Sequence, residues 1–264
     1  MPNSADSLSL GSSGDRHRRV PPQRPRGNRS VETETLGVMF AARTHLEFRF
    51  AENSLDYLAR GMDLAAKIAP DYPAFQTNAI AVSFTSPSGI SLGFDVGRIL
   101  IGLQLEDCTL KNVVRLATYA INKWTEHVGP APTLQRAGIR VQSAVPSDMS
   151  RAELIDVYRT WIFQDSFTNL ASKKHDFAVT IEDVDGPNGD RLIIGVMGYE
   201  ELLTKWSLRR DQVEEANSFF TIDLDYGTSA VQAKTGDIEA FAATTWAEIS
   251  RRNVALSAPI PVEA

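Results

Sequence analysis

The sequence predicts an α+β fold: antiparallel sheet, in one piece or two, with amphipathic helices packed on one face and two similar halves. Three observations predict it. Ile90, Leu92, Phe94 and Val96 alternate with small or polar residues, and Ile99, Ile101, Leu103 and Leu105 repeat the alternation after Gly97 and Arg98, which fit a tight turn. Leu110, Val113, Val114, Ala117, Ala120, Ile121 and Trp124 then form a helical stripe, opened by the capping residue Thr109 and stopped by Gly129-Pro130-Ala131-Pro132. The second half repeats the theme of hairpin, strand and long helix. Strands joined by short turns pair antiparallel, and helices on one sheet face define the α+β class.

The remaining elements follow in chain order. From Thr44, Leu46, Phe48 and Phe50 alternate with His45, Glu47 and Arg49, marking a first strand. Asn53 or Ser54 can cap a helix whose apolar positions read as Leu55, Leu58, Met62, Ala65 and Ala69, with Pro70 ending it. Ile80, Val82 and Phe84 form the next strand, and Ser86-Pro87-Ser88-Gly89 makes a proline-first turn. Leu134 to Val141 reads as the strand that closes the first half, and Pro146 is expected to break it after Val145. Ser150-Arg151-Ala152-Glu153 has capping-box spacing, followed by Leu154, Val157, Tyr158, Trp161 and Ile162 at helical spacing. Phe177, Val179 and Ile181 begin a strand, Gly186-Pro187-Asn188-Gly189 fits a hairpin turn, and Leu192 to Val196 returns. Leu202 to Asn217 fits a helix or a polar loop. Phe220, Ile222 and Leu224 form the last strand, and Asp237 is expected to cap a helix carrying Ile238, Phe241, Ala242, Thr245 and Ile249 on one face.

Composition divides the chain further. Residues 1–30 carry six arginines against Asp6 and Asp15, about +4, which leaves about −10 of the net −6 on the remainder. This Ser-, Pro-, Gly- and Arg-rich stretch reads as a disordered basic tail, either dispensable or touching an anionic partner. Residues 31–146 and 147–264 read as two α+β halves, separate or in one continuous domain. A body this acidic repels phosphate, so nucleic acid is excluded as a broad partner except through the tail. The single cysteine, Cys108, fits a reducing compartment. No long uncharged apolar run predicts a membrane span, and the first residues lack the apolar core of a secretory signal, so a cytoplasmic location is expected.

Candidate chemistry concentrates on two strands. Asp223 and Asp225, two apart, place both carboxylates on one face. They could hold a divalent cation or share a proton, or they form a solvated face opposite Phe220, Ile222 and Leu224. Arg136 and Arg140, on either side of Gly138, likewise share a face and could clamp a carboxylate or phosphate. Pairing with Asp223 and Asp225 across the sheet explains both sets of strand charges together. A partly buried guanidinium stripped of such a partner would cost on the order of 3–5 kcal/mol. Asp183, Asp185, Asn188 and Asp190 resemble a calcium loop, but Pro187 and Asn188 occupy the positions that demand an oxygen ligand and glycine. His17, His45, His127 and His175 form no metal-binding pair, no serine-centred nucleophile elbow appears, and Gly93, Gly97 and Gly102 do not form a phosphate-binding loop. Cys108 follows Glu106 and Asp107, which disfavour a thiolate. No cofactor is called for.

Arg136-Ala137-Gly138-Ile139-Arg140, after the Trp124 helix, resembles the R-x-G-[LI]-R segment of a sporadically distributed family of uncharacterised bacterial conserved hypothetical proteins. Phe220-Thr221-Ile222-Asp223-Leu224-Asp225-Tyr226 resembles the acidic strand of that family, which also precedes a closing helix. The likeness covers roughly residues 40–254 in element order. It departs where the family continues R-Y-x-N, since Arg140 leads here to Val141, Gln142 and Ser143. The resemblance implies the architecture and no chemistry.

Two functions of different class follow as expectations. One is a noncatalytic protein-binding or regulatory module that takes a protein partner or forms a homodimer. The other is a metal-dependent hydrolase built on Asp223 and Asp225. The tail makes a separate expectation. Deleting residues 1–30 leaves the melting temperature of the remainder unchanged in a thermal melt, because that stretch has almost no large apolar residues to bury.

Overall fold

A computed structural model describes residues 40–78, 80–162, 178–182, 190–229, 231–232 and 234–257. All of them belong to one compact unit, Thr33–Ala264. The basic tail, Phe177, His17, His175 and the 183–189 turn lie outside the described residues.

The described residues form five helices and one antiparallel sheet of nine strands, an α+β fold. In chain order these are β1 (Phe40–Phe50), α1 (Leu55–Ile68), β2 (Ala74–Thr77), β3 (Ala81–Thr85), β4 (Ser91–Asp95) and β5 (Arg98–Gln104). A 3-10 turn (Leu105–Asp107) leads to α2 (Leu110–His127), β6 (Leu134–Ser147), α3 (Arg151–Ile162), β7 (Ala178–Glu182) and β8 (Arg191–Met197). The chain then continues through α4 (Tyr199–Trp206), β9 (Ser218–Thr228) and α5 (Thr235–Ser257). Across the sheet the order is β2-β3-β4-β5-β1-β6-β9-β8-β7. The first strand sits between β5 and β6, which are both antiparallel to it and so parallel to each other. Such a pair needs a long connection, and α2 supplies it. The two halves of the chain meet where β6 pairs with β9, from Ala137–Thr228 to Ser147–Ser218.

Local chemistry sets the helix ends. The Ser54 hydroxyl accepts from the Tyr57 amide at 3.2 Å, and the Thr109 hydroxyl accepts from the Asn112 amide at 3.2 Å. Ser150 and Glu153 complete the capping box, with the Ser150 amide donating to Glu153 at 2.8 Å. Gly89 closes the Ser86 turn with φ near 92°, a region natural only to glycine.

One face of the sheet carries the main core. Leu46, Phe48, Ile99, Ile101, Ile139, Val141, Ile222 and Leu224 point to it and meet α1, α2, α3 and α5. The wholly buried Trp124 of α2 ties these layers together. Its ring stacks on Tyr57 at 5.3 Å and leans on Phe50 at 4.8 Å, while the Tyr57 hydroxyl donates to the Phe94 carbonyl at 2.8 Å. Further along, Tyr158 of α3 lies flat on Phe220 at 3.6 Å. On α5, Asn253 is fully buried and donates to the Ser143 hydroxyl at 3.0 Å.

Four expectations need correction. The buried stripe of α1 is Tyr57, Gly61, Leu64, Ala65 and Ile68; Leu55, Leu58 and Met62 face outward. The apolar residues of this helix span most of its circumference, so periodicity alone admits either stripe, and the stack of Tyr57 on Trp124 selects one. Pro146 does not break β6. It pairs in register with Phe219, beyond the Phe40–Ala144 pair where described β1 begins, so its missing N–H costs no described ladder bond. Helix α5 begins at Thr235, so Asp237 lies in its first turn, where a carboxylate still favours the positive helix end. Finally, not every helix packs on one face. Leu202, Leu203 and Trp206 of α4 bury against Ala42, Ala144 and Phe219 on the opposite side, forming a second core. Ser207, in the left-handed region at φ near 52°, ends α4 and lets the Leu208 amide return to the Leu203 carbonyl at 2.9 Å. Among the described residues no helix is long and apolar enough to cross a membrane.

The corrected stripe sets a measurable contrast. Leu64→Ala, at a fully buried position, is expected to cost about 2–5 kcal/mol in urea denaturation. Leu55 is 76% exposed, and Leu55→Ala is expected to stay within about 0.5 kcal/mol of the parent. Equal losses would restore the other stripe.

Candidate functional site on the open sheet face

Among the described residues, the face away from α1, α2, α3 and α5 is covered only at one end, by α4, and the rest carries the charged residues. Alternation puts them there. Once Leu46 and Phe48 point inward, Arg43, His45, Glu47 and Arg49 point outward, and the same parity places Arg136, Gly138, Arg140 and Gln142 of β6 on that face. Register then brings partners together. The Arg136 Nη2 reaches the Asp225 carboxylate at 2.5 Å, and its Nη1 reaches Glu47 at 3.3 Å. Arg140 grips Asp223 through two parallel bonds, Nε to Oδ1 at 2.7 Å and Nη2 to Oδ2 at 2.5 Å, and the Gln142 amide adds a third at 3.1 Å. All four candidates, Arg136, Arg140, Asp223 and Asp225, therefore meet on one surface as two cross-strand ion pairs.

The pairs extend into a belt that the sequence did not disclose. Glu47 is its hub: it takes Arg136 from β6, Arg49 from its own strand at 2.9 Å, and Arg98 from β5 at 3.6 Å. Arg98 in turn bonds Asp95 of β4 at 2.8 Å. Asp95, Arg98, Glu47, Arg49, Arg136 and Asp225 thus balance three negative against three positive charges across five adjacent strands. The visible signal was the charged run on alternate residues of β1. What it could not disclose is that β1 is inserted between β5 and β6, which gives Glu47 neighbours on both sides.

Two glycines make room for Arg136. A Cβ built on Gly138 would collide with its Nη1, and one on Gly227 would meet its Nε at 2.5 Å. The guanidinium therefore lies flat over bare backbone on β6 and β9, which lets one side chain span three strands. Nearby, a depression of about 340 Å³ opens over Gly102 and Gly138, walled by His45, Ser91, Arg136 and Arg140 together with the Arg136-bound carboxylates of Glu47 and Asp225.

Electrostatics follows burial. The His45 imidazole is pulled down from 6.5 to about 4, first by burial, then by the Arg43 and Arg140 charges, with Asp223 opposing. It is neutral at pH 7. Burial pushes the Cys108 thiol up to about 12, and Asp107 adds to the shift, so the acidic neighbours anticipated in the sequence come second to desolvation. His127 sits in the last turn of α2 beside Glu126 at 3.6 Å. Asp190 accepts from the Gly227 amide at 3.4 Å; the rest of the calcium-loop pattern lies outside the described residues. Among the described residues no cluster of three or more His, Cys, Asp or Glu could hold a metal ion.

Fold and face together define a class: an α+β protein whose single antiparallel sheet is helix-covered on one side and ion-paired on the other. No family model matches the chain, and no curated protein matches it.

Burial ranks the two pairs. Arg136 and Asp225 are 20% and 32% exposed; in the other pair Asp223 is 14% exposed but Arg140 is 45% exposed, so the Arg140 guanidinium is the more open of the two. A double-mutant cycle of Arg136→Met and Asp225→Leu is expected to give a coupling within the roughly 0.5–3 kcal/mol of contacting residues. Arg140→Met with Asp223→Leu is expected to couple by less than about 1 kcal/mol, because water screens the exposed guanidinium. Additive losses at Arg136 and Asp225 would mean that the pair contributes nothing in solution.

Proposed function

We propose that this chain is a noncatalytic protein-binding module whose partner is a second copy of itself, joined through β2. The observation that carries this reading is an apolar surface beside an unpaired sheet edge. Strand β2 ends the described sheet, and all four of its residues are exposed. Leu58 and Met62 of α1, Phe75 of β2 and Ile80 all expose more than half of their surface. Helix and edge strand meet here: the Met62 sulfur lies 3.9 Å from the Thr77 hydroxyl of β2, and Phe75 packs beside the buried Phe84 on the helix side of the sheet.

Symmetry favours an identical partner. A two-fold axis perpendicular to the sheet pairs β2 antiparallel with its own copy and keeps the helices of both copies on the same side. The apolar stripe of one α1 then meets its equivalent, satisfying both the open ladder and the exposed side chains. The alternative, a metal-dependent hydrolase on Asp223 and Asp225, would require both carboxylates to leave Arg140 and Arg136. A reducing compartment such as the cytoplasm suits a single buried cysteine.

Light scattering coupled to gel filtration tests the proposal. The parent is expected to run as a dimer at tens of micromolar, and Leu58→Glu with Met62→Glu as a folded monomer with unchanged circular dichroism. A monomeric parent, or a double variant that stays dimeric, would overturn it.

A further inference from the structure

Arg43 is the open-face arginine left out of the ion-pair belt. Arg49, Arg98, Arg136, Arg140 and Arg191 each bond a carboxylate, the last to Glu182 at 3.0 Å. Arg43 has no carboxylate partner among the described residues, and its Nε is buried without any hydrogen-bond partner. A buried guanidinium nitrogen left unbonded is costly, and charged groups in such places normally have counter-charges. Alternation turns Arg43 outward opposite Gln142, and a bulge between Ala41 and Arg43 seats its neighbour Ala42 under α4.

The surroundings complete a receptor for negative charge. Two residues along β1, on the same face, stands His45, and opposite His45 on β6 stands Arg140. Arg140 spends Nε and Nη2 on Asp223, which leaves Nη1 to point elsewhere. Gln142, between Arg43 and the Asp223 bond, has a buried Oε1 with no partner. The depression over Gly102 and Gly138 begins at His45 and Arg140. Arg136 lies over Gly138 and Ser91 over Gly102, so polar side chains line its floor.

We infer that Arg43, His45 and Arg140 form a binding site for a small ligand bearing a carboxylate or phosphate group, its oxyanion lying between the two guanidinium groups and its body over the adjoining depression. The planar guanidinium fork matches either oxyanion. On a chain of net charge −6, this local positive surplus attracts a small anion while the whole molecule repels large polyanions. The site is separate from the β2 edge, so it stands whether or not the chain dimerises.

His45 is the reporter. It faces Arg43 and Glu47 on its own strand, Arg140 on β6 and the more distant Asp223 on β9, with Ser91 beyond Gly102. A bound oxyanion adds negative charge next to it and raises its pKa from about 4. The full-length protein is titrated with inorganic phosphate and, separately, with succinate, against sodium chloride at matched ionic strength, while the His45 ring is followed by NMR. Phosphate or succinate is expected to shift the ring resonances saturably and to raise the His45 pKa, with chloride reproducing neither effect. Which of the two probes binds more tightly assigns the oxyanion. Arg43→Gln is expected to weaken that binding at least about tenfold, and Arg43→Lys to retain part of it. No saturable shift with either probe, the same shift with chloride, or undiminished affinity in Arg43→Gln would each overturn the assignment. If Arg43→Gln fails to fold, the wild-type titration and Arg43→Lys decide alone.

Discussion

The ladder between β6 and β9 is the constraint on which the rest of the molecule depends. It joins the two halves of the chain through eleven consecutive pairs, with no register shift between Ala137 and Ser147. Because side chains alternate, that one register decides both faces at once. Ile139, Val141, Ile222 and Leu224 must go under the helices, and Arg136, Arg140, Asp223 and Asp225 must go to the other side. A slip by one residue would bury four charges and expose the core, so the hydrophobic side enforces the electrostatic side. The ion pairs are a consequence of the register, and they reinforce it by pairing only when it is correct.

Much of this was legible in the residues. Alternation over Leu46–Phe50, Ile90–Leu103 and Phe220–Leu224 marked real strands, although Leu105 leaves the pattern for the 3-10 turn, and Thr109, Ser150 and Glu153 marked real helix starts, because these signals are local. The partnership of Arg136 and Arg140 with Asp223 and Asp225 was readable too, since charges on two strands invite each other. What escaped depends on residues far apart in sequence. Glu47 becomes a hub only because β1 inserts between β5 and β6. Arg43 stands apart because no described carboxylate on the neighbouring strands reaches it, which depends on the pairing of distant segments. The buried side of α1 was misassigned because its partner, Trp124, lies in another helix. Nor could local pattern place α4 on the opposite face, since its apolar residues match either side of a sheet.

The glycines of the open face tie backbone to charge. Gly138 in a central strand would ordinarily weaken it, for want of a side chain to pack. Here Arg136 fills that space from two residues away and does the same over Gly227. The strand interior is covered by a borrowed side chain, and the borrowed side chain carries the charge that bridges Glu47 and Asp225. Packing and electrostatics at this point are one interaction, which is why a change at either glycine acts on both.

The lone thiol gives the fold a clock. Cys108 sits at the corner where β5 turns into α2, only 7% exposed, and its proton is held up to about 12. Alkylating reagents attack the thiolate, so in the closed state the sulfur is silent twice over, by access and by charge. Each time that corner opens, water lowers the barrier to ionisation and the reagent can enter. The rate at which the label accumulates therefore counts openings of the β5–α2 junction, one site in one chain with no competing cysteine, and reads the local unfolding equilibrium of the sheet without any engineered probe.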